Sequence, residues 1–84
     1  MGLDAVEFAM ELERSFSVEM PNELWPEIKT IGEVADLVCD LMDLEGRAAD
    51  RPAVLDRVRE LAAQETAVPL ERITEESELW KLFG

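Results

Sequence analysis

An all-α bundle of three longer helices and one short helix is the fold class predicted by this 84-residue sequence. Three stretches repeat apolar residues at helical spacing, and residues suited to capping or starting a helix stand at their heads. Pro21, Pro26, Gly46 and Pro69 fall between those stretches, where helices stop. No segment alternates with the period of two shown by a half-buried strand, and no internal repeat is present. A chain of this length makes one small domain, spanning 1–84, and buries only about 60% of its unfolded surface.

The first helix is expected from about Asp4 to Phe16. Asp4 is a good N-cap, and Glu7 three residues on can return a bond to the cap's backbone amide, a variant of the capping box. Leu3, Val6 and Met10, flanked by Ala5, Phe8, Ala9 and Leu12, form a broad apolar stripe, with Glu7, Glu11, Glu13 and Arg14 left for water. Acids near the helix start also suit its dipole.

Between Pro21 and Pro26 only a short turn fits, because a proline inside a helix loses a bond and clashes with the preceding turn. Trp25 is expected to pin this piece to the core. Thr30 and Glu33 form a second capping box. Ile31, Val34, Leu37, Val38, Leu41 and Met42 then recur at helical spacing, which predicts a helix from about Ile31 to Asp43 stopped by Gly46. Residues 44–51 read as a connector.

The third long helix starts near Asp50 or Arg51, with Pro52 allowed in its first turn, and runs to about Glu65. It places Val54, Leu55, Val58, Leu61 and Ala62 on one face and Asp56, Arg57, Arg59 and Glu60 on the other. From Thr66 the periodicity fails. Val68, Leu70, Ile73, Leu79, Trp80 and Phe83 still need burial, so the last segment reads as a long loop folded over the bundle, with a short turn between Glu75 and Lys81.

The formal charge is −12, from 20 acidic and 8 basic residues. Binding phosphate needs lysine or arginine to neutralise it, so nucleic acid is excluded as a partner and a basic protein surface is favoured. The acidity belongs to the first half: Met1 to Glu45 holds 12 acids against Arg14 and Lys29, net −10. Gly46 to Gly84 holds 8 acids and 6 bases, net −2. No apolar run approaches the length of a membrane span, and no basic start leads into an apolar stretch, so a cytoplasmic chain with no membrane partner is expected.

With one cysteine and no histidine, an internal disulfide is impossible and metal sites, general bases and catalytic triads lose their commonest member. Cys39 is assigned to packing. A calcium loop ahead of Gly46 would need oxygen ligands at Leu41, Asp43 and Glu45, and the first is missing, so no metal is expected. Glu75, Glu76 and Glu78 have no nucleophile or oxyanion partner in the pattern and read as a solvated turn. No catalytic residue is expected, and the chain is read as not an enzyme.

The segment Leu3-Asp4-Ala5-Val6-Glu7-Phe8-Ala9-Met10-Glu11-Leu12-Glu13-Arg14-Ser15-Phe16 resembles the second helix of the acyl carrier protein family. That helix typically follows Asp-Ser-Leu-Asp and ends in Leu-Glu-Glu and a Phe. Met20-Pro21, then Ile28-Lys29-Thr30-Ile31 and the helix after them, resemble its short third helix and its fourth. Val58-Arg59-Glu60-Leu61, Val68-Pro69 and Ile73-Thr74 resemble its first helix and the loop behind it. The family's order is circularly permuted: 2–43 resembles helices two to four, 44–51 connects, and 52–84 resembles helix one with its long loop. Joining the ends restores Leu82-Phe83-Gly84-Met1-Gly2-Leu3-Asp4, close to the family's attachment motif with a residue missing.

The resemblance implies an acyl-carrier-like four-helix bundle whose serine position is occupied by Gly2. Glycine offers no hydroxyl, so the family's phosphopantetheine has no attachment point and no cofactor is expected. The resemblance carries the docking surface for carrier-dependent enzymes of fatty-acid or polyketide biosynthesis onto Asp4, Glu7, Glu11 and Glu13, with Arg14 where the family often has another acid. It also implies that the end of the helix from Ile31 to Asp43 lies near the start of the helix from Pro52 to Glu65. Three readings stay open: an arm-less carrier body, an altered or permuted form of a working carrier, and a protein-interaction module. Monomer and helix-exchanged dimer are both compatible with the connector.

Overall fold

The structure, a computed structural model, describes residues 3–84, with side chains from residue 5 onward. Four α-helices run in the order α1 (Leu3–Phe16), α2 (Ile31–Leu44), α3 (Arg51–Thr66) and α4 (Leu79–Phe83), with short 3-10 helices at Asn22–Glu27 and Leu70–Arg72. The all-α expectation holds among the described residues, where the only β-type pairing is a single bridge between Thr30 and Glu78. α3 is the shared partner of the bundle, since both α1 and α2 pack against it. The radius of gyration, 11.7 Å, matches the roughly 12 Å of a compact chain this long.

α1 begins at Leu3, one residue ahead of the expected start. Asp4, expected as its N-cap, is already a helical residue and so does not cap it; its side chain lies outside the described residues. The stripe of α1 is narrower than its sequence suggests. Ala5, Phe8 and Leu12 are buried, while Val6 and Met10 are 49% and 50% exposed. The helix packs chiefly against α3, with Phe8 also stacked on Phe83 of α4, and a three-four spacing of core residues suffices for that side.

The stretch after Pro21 closes into a six-residue 3-10 helix that contains Pro26. Bonds from Leu24 N to Pro21 O and from Ile28 N to Trp25 O bracket it, so Pro26 forgoes only its own missing donor near the end. Trp25 packs half-buried against the core, as expected.

α2 starts at the predicted capping box. Thr30 Oγ1 accepts from Glu33 N at 3.2 Å, and Glu33 Oε1 accepts from Thr30 N at 3.2 Å and Lys29 N at 2.8 Å. Ile31, Val34, Ala35 and Val38 are buried without remainder. Past its end, Gly46 adopts φ +74°, the left-handed conformation that favours glycine, and Arg47 N donates to Met42 O at 2.9 Å. Arg47 then reaches across to α1: Nη2 donates to Phe16 O at 2.7 Å and Nη1 to Ser17 O at 3.1 Å, satisfying carbonyls left open at that helix's end.

The relation between α2 and α3 departs from the one the resemblance implied. Arg51, the first residue of α3, donates from Nε to Asp36 Oδ1 at 2.6 Å and from Nη2 toward Gly32 O at 3.5 Å. Its guanidinium therefore sits beside the first two turns of α2. Leu44 lies 12 residues, about 18 Å, further along that helix. The connector doubles back along α2, drawn by these two acceptors and by Glu75.

The last segment is more ordered than a loop. Ala67 turns the chain out of α3 with φ 61°, and Arg59 holds the returning segment by donating to Ile73 O at 2.6 Å and Leu70 O at 3.0 Å. A main-chain seam then fastens it to α2: Gly32 N donates to Glu75 O, Ile31 N to Ser77 O and Leu79 N to Lys29 O, all between 2.9 and 3.0 Å. Ile73 is fully buried, and Leu79, Leu82 and Phe83 pack on the core. Trp80 and Leu70 were expected inside and are not, at 67% and 38% exposed. A five-residue helix turns one side to the core at 79, 82 and 83, which leaves position 80 on the other.

Candidate functional site

Two neighbouring surfaces at the start of α1 carry the features a binding site needs. The first is the outer face of α1. Glu7 is exposed, and Val6 and Met10 stand beside it. Glu11 is half-buried and paired with Arg14 at 2.9 Å. Glu13 is also half-buried, its Oε2 accepting from Met20 N at 2.9 Å, so this acid holds the segment that follows α1. Of the four acids predicted to meet a partner, Glu7 and Glu11 therefore line the outward face, Glu13 is committed to the fold, and Asp4's side chain lies outside the described residues. Gly2, the position equivalent to the attachment serine, lies outside them too. A shallow apolar groove of about 490 Å³ continues this face through Ala9, Met20, Trp25 and Pro26.

The second surface is a larger groove, about 620 Å³, between the start of α1, the 3-10 helix at Asn22–Glu27, the head of α2 and α4. Phe8 forms its floor, stacked on Phe83 with ring centroids 4.9 Å apart. Trp25, Ile28, Leu79 and Trp80 complete an apolar lining, and Lys29, Thr30, Glu33 and Glu78 stand on it as polar groups. At one side Lys81 Nζ lies 5.4 Å from the centre of the Trp80 ring and 3.4 Å from Glu78 Oε2. Ring and carboxylate together already hold an ammonium.

The carboxylates read as a solvated turn are partly engaged. Glu75 accepts from Arg51 Nη2 at 2.8 Å, and Glu78 from Lys81. Asp36 and Glu75 stabilise the charged guanidinium of Arg51 and raise its pKa. Cys39 packs half-buried against the core, as assigned. Burial pushes its thiol above the ordinary range, and Asp36, Asp43 and Asp40 add to this while Arg51 opposes it. Among the described residues, no three His, Cys, Asp or Glu side chains gather in a metal-binding arrangement, and no helix is long and apolar enough to cross a membrane.

Sequence reasoning missed the groove because its walls come from both ends of the chain and the middle. The i,i+3 spacing of Glu78 and Lys81 around Trp80 was its only local signal. Compared with protein-family models, curated proteins and solved structures, the chain matches none.

Proposed function

We propose that this chain is an acyl-carrier-like body, circularly permuted and without its attachment serine, that docks non-catalytically on the basic surfaces of carrier-dependent enzymes. The observation that carries the reading is the outer face of α1, where the exposed Glu7 and the Arg14-paired Glu11 stand along one side of the exposed Val6 and Met10. Acids beside a small apolar patch suit a partner with an apolar contact bordered by basic residues. The stack of Phe83 on Phe8 supports the permuted order, because it brings the last helix beside the first. A carrier of this kind contributes recognition and no chemistry of its own.

Intact mass after incubation with coenzyme A and a broad-specificity phosphopantetheinyl transferase tests the reading. The chain as it stands is expected to gain nothing, and a Gly2→Ser variant to gain one phosphopantetheine. Failure of both would remove the carrier reading; modification of the unaltered chain would remove the claim that it lacks the handle. Docking itself is expected to weaken in Glu7→Gln and with added salt, since exposed charge pairs are screened over about 8 Å at physiological ionic strength.

A further inference from the structure

We propose that the aromatic groove between α1 and α4 is a docking site for a partner peptide that presents an apolar side chain next to a lysine or arginine. The apolar side chain enters between Phe8, Trp25 and Phe83. The cation takes the place of Lys81 on the face of Trp80, beside Glu78. This inference does not rest on the carrier reading.

Three observations carry it. The groove, about 620 Å³, lies within the size range of sites that bury a ligand or an anchoring side chain. Trp80 is 67% exposed at its edge, although tryptophan loses most by standing in water and is the residue most enriched where partners dock. The rim also displays its own preference, since Trp80 and Glu78 hold the ammonium of Lys81. That internal pair is solvent-exposed, 65% at Lys81 and 42% at Glu78, so it contributes little and yields to a competitor.

Charge decides which competitor. The chain carries −12, with −10 in the half that supplies α1 and the head of α2. That field attracts a cationic segment and opposes both an anionic ligand and a second copy of the chain. Lys29 is the one cation among the groove's lining residues, Lys81 standing beside them, and Glu33 stands on the lining with Lys29, accepting from its backbone amide. An arginine suits the ring face best, because its planar cation stacks as well as attracts.

The test is selection of binders from a random-peptide phage library on the folded chain, followed by titration of the synthesised winners by tryptophan fluorescence. Winners are expected to pair arginine or lysine with Leu, Ile, Phe or Trp. Their affinity is expected to fall about tenfold or more in Trp80→Ala, the size of effect seen when an aromatic anchor is lost. It should fall severalfold in Glu78→Gln, and rise in Lys81→Ala, where the internal competitor is gone. Position 80 is exposed, so Trp80→Ala keeps the fold, and circular dichroism verifies that. Winners without basic residues, no winners at all, or winners indifferent to Trp80→Ala would overturn the proposal. So would weaker binding in Lys81→Ala. A concentration-dependent dimer dissolved by Trp80→Ala would give the groove to a second copy and overturn it equally.

Discussion

Arg51 and Glu75, 24 positions apart, meet at 2.8 Å, and the same guanidinium reaches Asp36 at 2.6 Å. One side chain thus joins the start of α3, the second turn of α2 and the segment that follows Ile73. All three groups are well exposed, 40%, 47% and 59%, so the pair acts by ordering the segment more than by adding stability. In Arg51→Ala the amide of Gly32, which donates to Glu75 O, is expected to exchange severalfold faster while Val58 and Leu61 stay protected. Hydrogen exchange read residue by residue checks this; equal rates at Gly32 in both proteins would refute it.

Leu12 is fully buried on the face of α1 that meets the core, and Val6 is half exposed on the other side. Leu12→Ala is expected to cost about 2–5 kcal/mol, and Val6→Ala to stay within about 0.5 kcal/mol. Urea titrations of the two variants distinguish this from the broad stripe in which both residues are core.

Thr30→Ala removes the acceptor for Glu33 N and should cost about 1 kcal/mol. Gly46→Ala has open space around its new methyl but forces alanine to φ +74°, at a cost of roughly 1–2 kcal/mol. Comparable midpoints for Gly46→Ala and the parent would mean that the turn relaxes.

Burial raises the Cys39 pKa in the folded chain. The folded state therefore holds the thiol proton more tightly than the unfolded state. Stability from this group is fully present below the unfolded thiol value of about 8.5 and is lost as pH climbs through the higher folded one. Alkylation by iodoacetamide at mildly alkaline pH is expected to run slower than for the same chain in urea, and a Cys39→Ser variant should lose the alkaline decline in stability.

Much of the fold was legible because it is local. The capping box at Thr30 and Glu33, the left-handed Gly46 and Pro52 in the first turn of α3 each act within a few residues. What was not legible depends on partners far away. Arg59 reads as a solvent-face residue until Ile73 O and Leu70 O arrive from the returning chain. Arg47 reads as part of a connector until the end of α1 needs donors. Trp80 reads as core by composition, and only the choice of side made by Leu79, Leu82 and Phe83 turns it outward. At the candidate site, Glu13 was indistinguishable from Glu7 in the sequence, since nothing local marks Met20 N as its donor.

A Cβ at Gly32 would stand 3.2 Å from the Cβ, carbonyl and carboxylate oxygen of Glu75. The seam there is backbone against backbone, from Lys29 and Ile31 to Ser77 and Leu79. Its partners are peptide groups: the carbonyls of Glu75 and Ser77, which any residue supplies, and the N–H of Leu79, which any residue but proline supplies. Apart from Glu75, which Arg51 holds, and Leu79, which packs on the core, the side chains along this stretch take no part in the seam's own bonds, and the position least free to change is the glycine opposite. Amide-to-ester replacement at Leu79, which removes its N–H and keeps its side chain, would reach this join directly.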